Sequence, residues 1–252
     1  MLLSVMRVKV LCFGVLKDWL GAAPAAVELA EGASVATLLD ELRAQKPAAA
    51  WQGVAVSVNA EYATAAQVLR EGDEVGLLPP VSGGTARAAN VLDESSGPDN
   101  VIIALTRERI DADTLVRAAK GGADGAVVVF DGIVRDNTRG RRTLYLDYEA
   151  YEEMAMKQMG ALAAEARTRF GVRQVTMIHR LGRLEVGETS VLIVVATAHR
   201  AQAYDASRWL IDTLKKTVPI WKRETFADGV VWADGEPFPA GLAAGAEGAH
   251  EG

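Results

Sequence analysis

The sequence predicts an α+β protein made of two separate bodies, and three observations carry that prediction. The spacing of apolar residues switches repeatedly between the period of 2 expected of strands and the period of 3.6 expected of helices. Residues 85–99 are Ala, Ser, Gly, Pro and acids with little periodicity, the composition of a linker. Charge also divides along the chain: residues 1–84 carry a net −3, 85–99 a net −2, and 100–235 a net +2, and the tail from 236 holds three acids and no Lys or Arg. An acidic body followed by a slightly basic one is the pattern of two parts able to attract each other.

Residues 8–13 alternate their large side chains as a strand does, and 27–29 continue the alternation after a turn near Gly21 and Pro24. Ser34 is placed to cap a helix running to Lys46, with Val35, Leu38, Leu39 and Leu42 on one face and Pro47 as its stop. Strands follow at 54–58 and 74–78, the second entered through the Glu71-Gly72-Asp73 turn. Two strands, a helix and further strands within about 80 residues is the order of a β-grasp, the ubiquitin-like fold. After Leu78 the chain runs through Pro79-Pro80 to Gly83-Gly84 and then into the linker.

The second body begins near residues 101–105. Asp111 or Asp113 caps a short helix, and 125–130 form a nearly continuous apolar run read as a buried strand. Residues 135–142 read as a polar loop holding Arg135, Arg139, Arg141 and Arg142. A strand at 144–148 precedes a long helix over 151–170, marked by Met154, Met159, Leu162, Ala163, Ala166 and Phe170. Strands at 175–178 and 188–198 precede a helix from 201 to 217, closed by Pro219. Asp228-Gly229 marks a hairpin between 221–226 and 230–232. The Ala/Gly/Glu tail beyond Phe238 is expected to be disordered. The resulting division is 1–84, a linker at 85–99, 100–238, and a tail at 239–252.

Composition excludes several classes. Cys12 is the only cysteine and there are three histidines, so neither a disulfide scaffold nor a cysteine-based zinc site is available. No window approaches 18 apolar residues, the opening residues are too short for a signal peptide, and Met6 offers a second start. The expectation is therefore a cytoplasmic protein with no membrane partner. The modest basic excess of the second body does not suit nucleic acid. Gly121-Gly122 lacks the Gly-Lys-Ser/Thr ending of a phosphate loop.

The residues that carry chemistry are few. Gly83-Gly84 either opens a flexible linker or forms a narrow tail around which another protein's backbone can close, since glycine has no Cβ. His199-Arg200 sits where a strand meets a helix, so side chains and free N–H groups could both hold an anion. Lys215 and Lys222 flank a turn containing Pro219 and Trp221, so their ammonium groups could converge; a lone lysine at a helix end more often serves the last carbonyls. With Arg135 they outline a site for a phosphate-sized anion. His179 is read as capping or packing, and Cys12 as a buried structural thiol.

Four stretches resemble one enzyme family: 124–135 (DGAVVVFDGIVR), 175–182 (VTMIHRLG), 197–200 (TAHR) and 214–224 (LKKTVPIWKRE). Residues 100–235 resemble the large catalytic subunit of molybdopterin synthase (MoaE type), an α/β sandwich-type domain. Residues 1–84, ending in Gly-Gly, resemble its small sulfur-carrying subunit (MoaD type). The resemblance implies that Gly84 is adenylated by a separate ATP-using adenylyltransferase/sulfurtransferase and converted to a thiocarboxylate. It further implies that the tail, Gly83 and Gly84, enters the large-subunit pocket and delivers sulfur to cyclic pyranopterin monophosphate, two deliveries making the dithiolene of molybdopterin. Ile133, Val134, Arg135, His199 and Arg200 match positions that bind the pterin. Lys215 matches the catalytic lysine, Lys222 the second lysine of the pocket, and Arg223 and Glu224 lie beside it. No metal or other cofactor is implied for the transfer itself, and the large subunit's habit implies a dimer, or a heterotetramer of cut chains.

One feature departs from the family. Gly84 is amide-bonded to Thr85, whereas a thiocarboxylate needs a free carboxyl group. The expectation is cleavage between them; the alternative is an uncleaved, non-catalytic sulfur-carrier precursor or pterin-binding assembly module.

Overall fold

The computed structural model describes residues 4–47, 51–81 and 101–233. Gly83, Gly84, the linker and the tail lie outside the described residues. The chain separates into two compact units, the first containing 4–81 and the second 101–233.

In the first unit, β1 (Val5–Cys12) leads through a short helix α1 (Leu16–Leu20) to β2 (Ala25–Ala30), α2 (Val35–Gln45), β3 (Ala55–Val58), β4 (Glu61–Ala63) and β5 (Glu74–Leu78). The strands form one sheet in the order β2-β1-β5-β3-β4, with β1 and β5 parallel and the other neighbours antiparallel. The alternation read from the sequence is what the sheet uses. Met6, Val8, Val10 and Cys12 of β1 are buried against Val35, Leu38, Leu39 and Leu42 of α2. Ser34 caps α2 in a reciprocal pair with Thr37, which closes orphan N–H groups at the helix start. Burial raises the Cys12 thiol to about 11, so it remains protonated and inert. Of these elements α1 and β4 have no counterpart in the sequence reading; both are too short for a periodic signal.

The second unit runs β6 (Val101–Thr106), α3 (Ala112–Ala118), β7 (Ala126–Ile133), β8 (Asn137–Thr138), β9 (Arg141–Ala150), α4 (Glu152–Phe170), β10 (Gln174–Arg180), β11 (Gly182–Glu185), β12 (Thr189–Thr197), α5 (Arg200–Thr217), β13 (Ile220–Phe226) and β14 (Gly229–Trp232). One sheet has the order β6-β10-β12-β7; a second is β11-β9-β13-β14, with β8 paired to β9. Helices α4 and α5 cover one face of the first sheet. There Val175 and Met177 of β10, and Val191, Ile193 and Val195 of β12, meet Met159, Ala163, Leu210 and Leu214. The other face, Leu192 and Val194, is covered by the segment around α3. This double burial explains the unbroken apolar run of β12.

Two expectations need correction. The apolar run 125–130 belongs to β7, which among the described residues pairs with β12 alone and is a half-exposed edge strand, with Val129 exposed; a continuous apolar pattern does not reveal a missing neighbour. The supposed polar loop 135–142 contains the β8–β9 hairpin, turned by Arg139 and Gly140 at positive φ. Asp111, the first of the two proposed caps, accepts from the Thr114 N–H at 3.1 Å.

Candidate active site

Four elements of the second unit converge at one end of the first sheet. β7 and β12 are antiparallel, with Ile133 opposite Thr189. α5 follows β12 and packs back along it and β7, so its last turn returns to the end where β7 finishes and β12 begins. β13 leaves immediately afterwards and pairs with β9, placing Lys222 beside Tyr148. This order brings Lys222 on β13 and Arg135 just beyond β7 within electrostatic range of Lys215 near the end of α5. Lys215 has its pKa lowered, first by burial and then by the charge of Lys222, with Arg135 adding and Asp212 opposing.

The two lysines differ. Lys222 Nζ lies 2.9 Å from Glu224 Oε1, and residues two apart on a strand share a face. Glu224 is buried, and its Oε2 has no hydrogen-bond partner. Lys222 therefore has a carboxylate partner, while Lys215, buried and crowded by cations, has its charged form disfavoured. Arg223, between Lys222 and Glu224, points to the opposite face. It reaches Asp147 at 3.6 Å and lies over the Trp232 ring, so the structure does not bring it to the lysines.

Val134 is buried, with both backbone groups used: its N–H donates to Glu188 O at 3.0 Å and its C=O accepts from Gly187 N–H at 2.8 Å. It anchors the turn that projects Arg135 into solvent, and Ile133 before it is exposed. Arg141 is held by Asp228 at 2.7 Å and stacks on Phe226.

His199 and Arg200 lie at the other end of α5. His199 is the N-cap with no side-chain cap bond, Thr197 Oγ1 donates to its carbonyl at 2.7 Å, and the first turn contains no acid. Arg200 and Lys215 are 15 residues apart in one helix, about 22 Å. A single copy of the unit thus holds two cationic stations, not one.

The reading of His179 as a packing residue holds. Strand alternation puts it on the same face as Val175 and Met177, toward the helices, and it pairs with Val191 at the end of the sheet where Lys215 emerges. Its Nδ1 lies 2.9 Å from Arg180 O and its ring meets Tyr148 edge-on, with centroids 5.0 Å apart. Burial, with the charge of Lys215 adding, pushes the imidazole down to about 4. Arg180 is itself fixed by Glu188 at 3.1 Å, a carboxylate also held by Arg109 at 2.8 Å. The signal available in the sequence was a histidine breaking an apolar row at the edge of a strand.

Comparison with known proteins matches residues 105–217 to the family described as MoaE protein and residues 10–84 to the ThiS family. The molybdopterin synthase catalytic subunit of Pyrococcus abyssi is 39% identical over 140 residues, covering 56% of this chain and 95% of the relative. A solved molybdopterin synthase from Staphylococcus aureus is 37% identical, covers 54% of this chain and 96% of its own, and has a TM-score of 0.48. A solved complex of subunits 1 and 2 of the molybdopterin-converting factor from Helicobacter pylori is 26% identical, covers 55% and 93%, and has a TM-score of 0.46. The chain therefore belongs to the molybdopterin synthase catalytic-subunit family, with a ThiS-family domain ahead of the catalytic region.

Proposed function

We propose that this chain is a sulfurtransferase that carries its own sulfur donor, converting cyclic pyranopterin monophosphate to molybdopterin. The observation that carries the reading is the convergence of Lys215, Lys222 and Arg135 in a chain that also contains a sulfur-carrier-type domain ending in Gly83-Gly84. On this reading a Gly84 thiocarboxylate presents sulfur as nucleophile, and the cations stabilise it and the substrate phosphate. In each delivery the thiocarboxylate sulfur forms a C–S bond at a pterin side-chain carbon as a C–O bond at that carbon breaks, the oxygen leaving on the phosphate or as water. A second water then breaks the acyl–sulfur bond, leaving sulfur on the pterin and returning Gly84 as a carboxylate. Lys215, the lysine whose charge is disfavoured, moves a proton or attaches substrate transiently; Lys222, paired to Glu224, helps hold the anionic substrate. The step calls for no metal or other cofactor, and ATP is used by the separate enzyme that activates Gly84.

Two consequences follow for assembly. Gly84 must be released from Thr85, so the chain is cut into a carrier of 1–84 and a catalytic part of 85–252, the linker being 85–99. His199 and Arg200 hold the same pterin as Lys215 only if they come from a second copy, because α5 separates them within one. The working species is therefore a dimer of catalytic parts, a heterotetramer with the carriers.

The test mixes residues 1–84, thiocarboxylated on Gly84, with residues 85–252 and measures molybdopterin. Conversion is expected, and Lys215→Ala is expected to abolish it while preserving the circular dichroism spectrum. A Lys215→Ala protein as active as its parent overturns the assignment of Lys215. Absence of conversion by the parent favours the non-catalytic precursor. Intact-mass analysis from the native host should show two fragments meeting at Gly84 and Thr85; only uncut chain in cells making molybdopterin would exclude the cut.

A further inference from the structure

We propose that Glu188 is a positioning residue for Arg135, its carboxylate fixing the turn from which Arg135 leaves β7. This role rests on the reading of Arg135 as a holder of the anionic substrate, and it reaches the substrate only through Arg135.

Glu188 stands immediately before β12, and both of its carboxylate oxygens are occupied. Oε1 accepts from Arg109 Nε at 2.9 Å and from Arg109 Nη2 at 2.8 Å. Oε2 accepts from the Glu185 N–H at 2.9 Å and lies 3.1 Å from Arg180 Nη1. The Glu185 N–H first, and then Arg109, hold the carboxyl below the usual carboxylate range. Three segments distant in the chain are thereby drawn to one point: the loop after β6, the end of β10, and the turn joining β11 to β12. The backbone closes the same junction, with the Leu181 N–H donating to Thr106 O at 2.7 Å.

Val134 is gripped from both sides at this point. Its N–H donates to Glu188 O at 3.0 Å, and its carbonyl accepts from the Gly187 N–H at 2.8 Å. The Val134 carbonyl shares a rigid peptide plane with the Arg135 nitrogen and Cα, so holding that oxygen sets where Arg135 begins. Strand pairing alone does not fix the exit of β7, because the β7–β12 ladder shifts register between Thr189 and Val191. Arg135 itself is exposed, and a fixed backbone is the part of its placement that the fold can supply in advance.

The same contacts explain why a carboxylate stands here. Each of these partners is a donor: the guanidinium groups of Arg109 and Arg180, and the Glu185 amide. A glutamine would set its NH2 against donors whichever way it was turned, and would leave two arginines without their anion.

The experiment uses the full chain and two readouts. Amide hydrogen exchange, followed by NMR, needs no turnover, and steady-state kinetics after cleavage and thiocarboxylation reads the site. Glu188→Gln should speed exchange of the Gly187 and Val134 amides by about tenfold or more, with Ile193 and Val194 in mid-β12 within about twofold of the parent. It should raise KM for cyclic pyranopterin monophosphate by about fivefold or more, with kcat within about twofold. Arg135→Ala should raise KM at least as far, and the double variant should match Arg135→Ala alone, because without the guanidinium there is nothing to aim. Arg109→Ala removes a side chain that is 81% exposed, and should move both readouts the same way by about twofold or more.

Unchanged exchange at Gly187 and Val134 in Glu188→Gln overturns the proposal. So do KM effects that multiply in the double variant, or a loss confined to kcat, since either makes Glu188 a general stabiliser. If Glu188→Gln does not fold, Arg109→Ala decides by the same readouts. If the parent does not turn over, or Arg135→Ala leaves KM unchanged, the functional reading fails, and exchange alone decides whether Glu188 fixes the turn.

Discussion

Among single residues, His179 shows what burial does to a titratable group. His179 is neutral inside the fold because protonating it would bury a charge beside Lys215. Its folded pKa of about 4 lies below the ordinary 6.5, so the unfolded chain binds the proton more readily. Its contribution to stability is thus fully present above about pH 6.5 and is lost as pH falls toward 4; the shift corresponds to about 3 kcal/mol as an upper bound. Calorimetry from pH 7 to pH 4 should show the melting temperature of the second unit falling through that window. His179→Gln should flatten the fall, and an unchanged slope in that variant would assign the acid sensitivity elsewhere. Lys215 works in the same sense at higher pH. Its lowered pKa means the fold disfavours the ammonium, so Lys215→Met should remove activity while leaving stability at neutral pH equal or higher.

At the level of elements, the site depends on how β7, β12 and α5 are locked together. Gly125, at the entrance to β7, donates its N–H to Thr197 O at 3.0 Å, and a Cβ there would meet Ala198 O at 2.4 Å. That oxygen is backbone and cannot swing aside. Gly125→Ala should therefore displace the β12–α5 junction at a cost on the order of 1–3 kcal/mol, seen as a melting temperature lower by several degrees. The displacement falls on His199 and Arg200, so on the proposed reading pterin binding should weaken, measured as a raised KM. If stability is unchanged, the contact is softer than its geometry indicates. Gly132 is confined similarly by Val191, with a Cβ placed 2.6 Å from Cγ1, but a side chain can yield where a carbonyl cannot.

For the whole molecule, the separation of two cationic stations by the length of α5 gives a test of assembly. Chains carrying Lys215→Ala and chains carrying Arg200→Ala should each be inactive, yet co-expressed they should regain about a quarter of parental activity. In a two-fold dimer half the assemblies are mixed, and each of those holds one intact site of two. No recovery would mean that both stations serve one copy, contrary to the geometry of a straight helix.

Much of this was legible from residue order. The β-strand alternation of 8–13, the apolar face of α2, the cap at Ser34, the hairpin at Asp228-Gly229 and the closure of α5 before Pro219 are local patterns, and local sterics and burial enforce them. The candidate lysines and Arg135 were legible too, because their residue types and spacing stand out in motifs similar to a known family. What local pattern does not encode is who lies across the sheet. That β7 has a neighbour on one side only among the described residues, that Arg223 turns away from Lys222, and that His199 and Lys215 occupy opposite ends of one helix follow from strand order and helix length. The sequence by itself determined the two bodies, their main elements and the charged residues available for chemistry. Tertiary structure alone decided which of those residues lie together, because a side chain's electrostatic surroundings are set by neighbours distant in the chain.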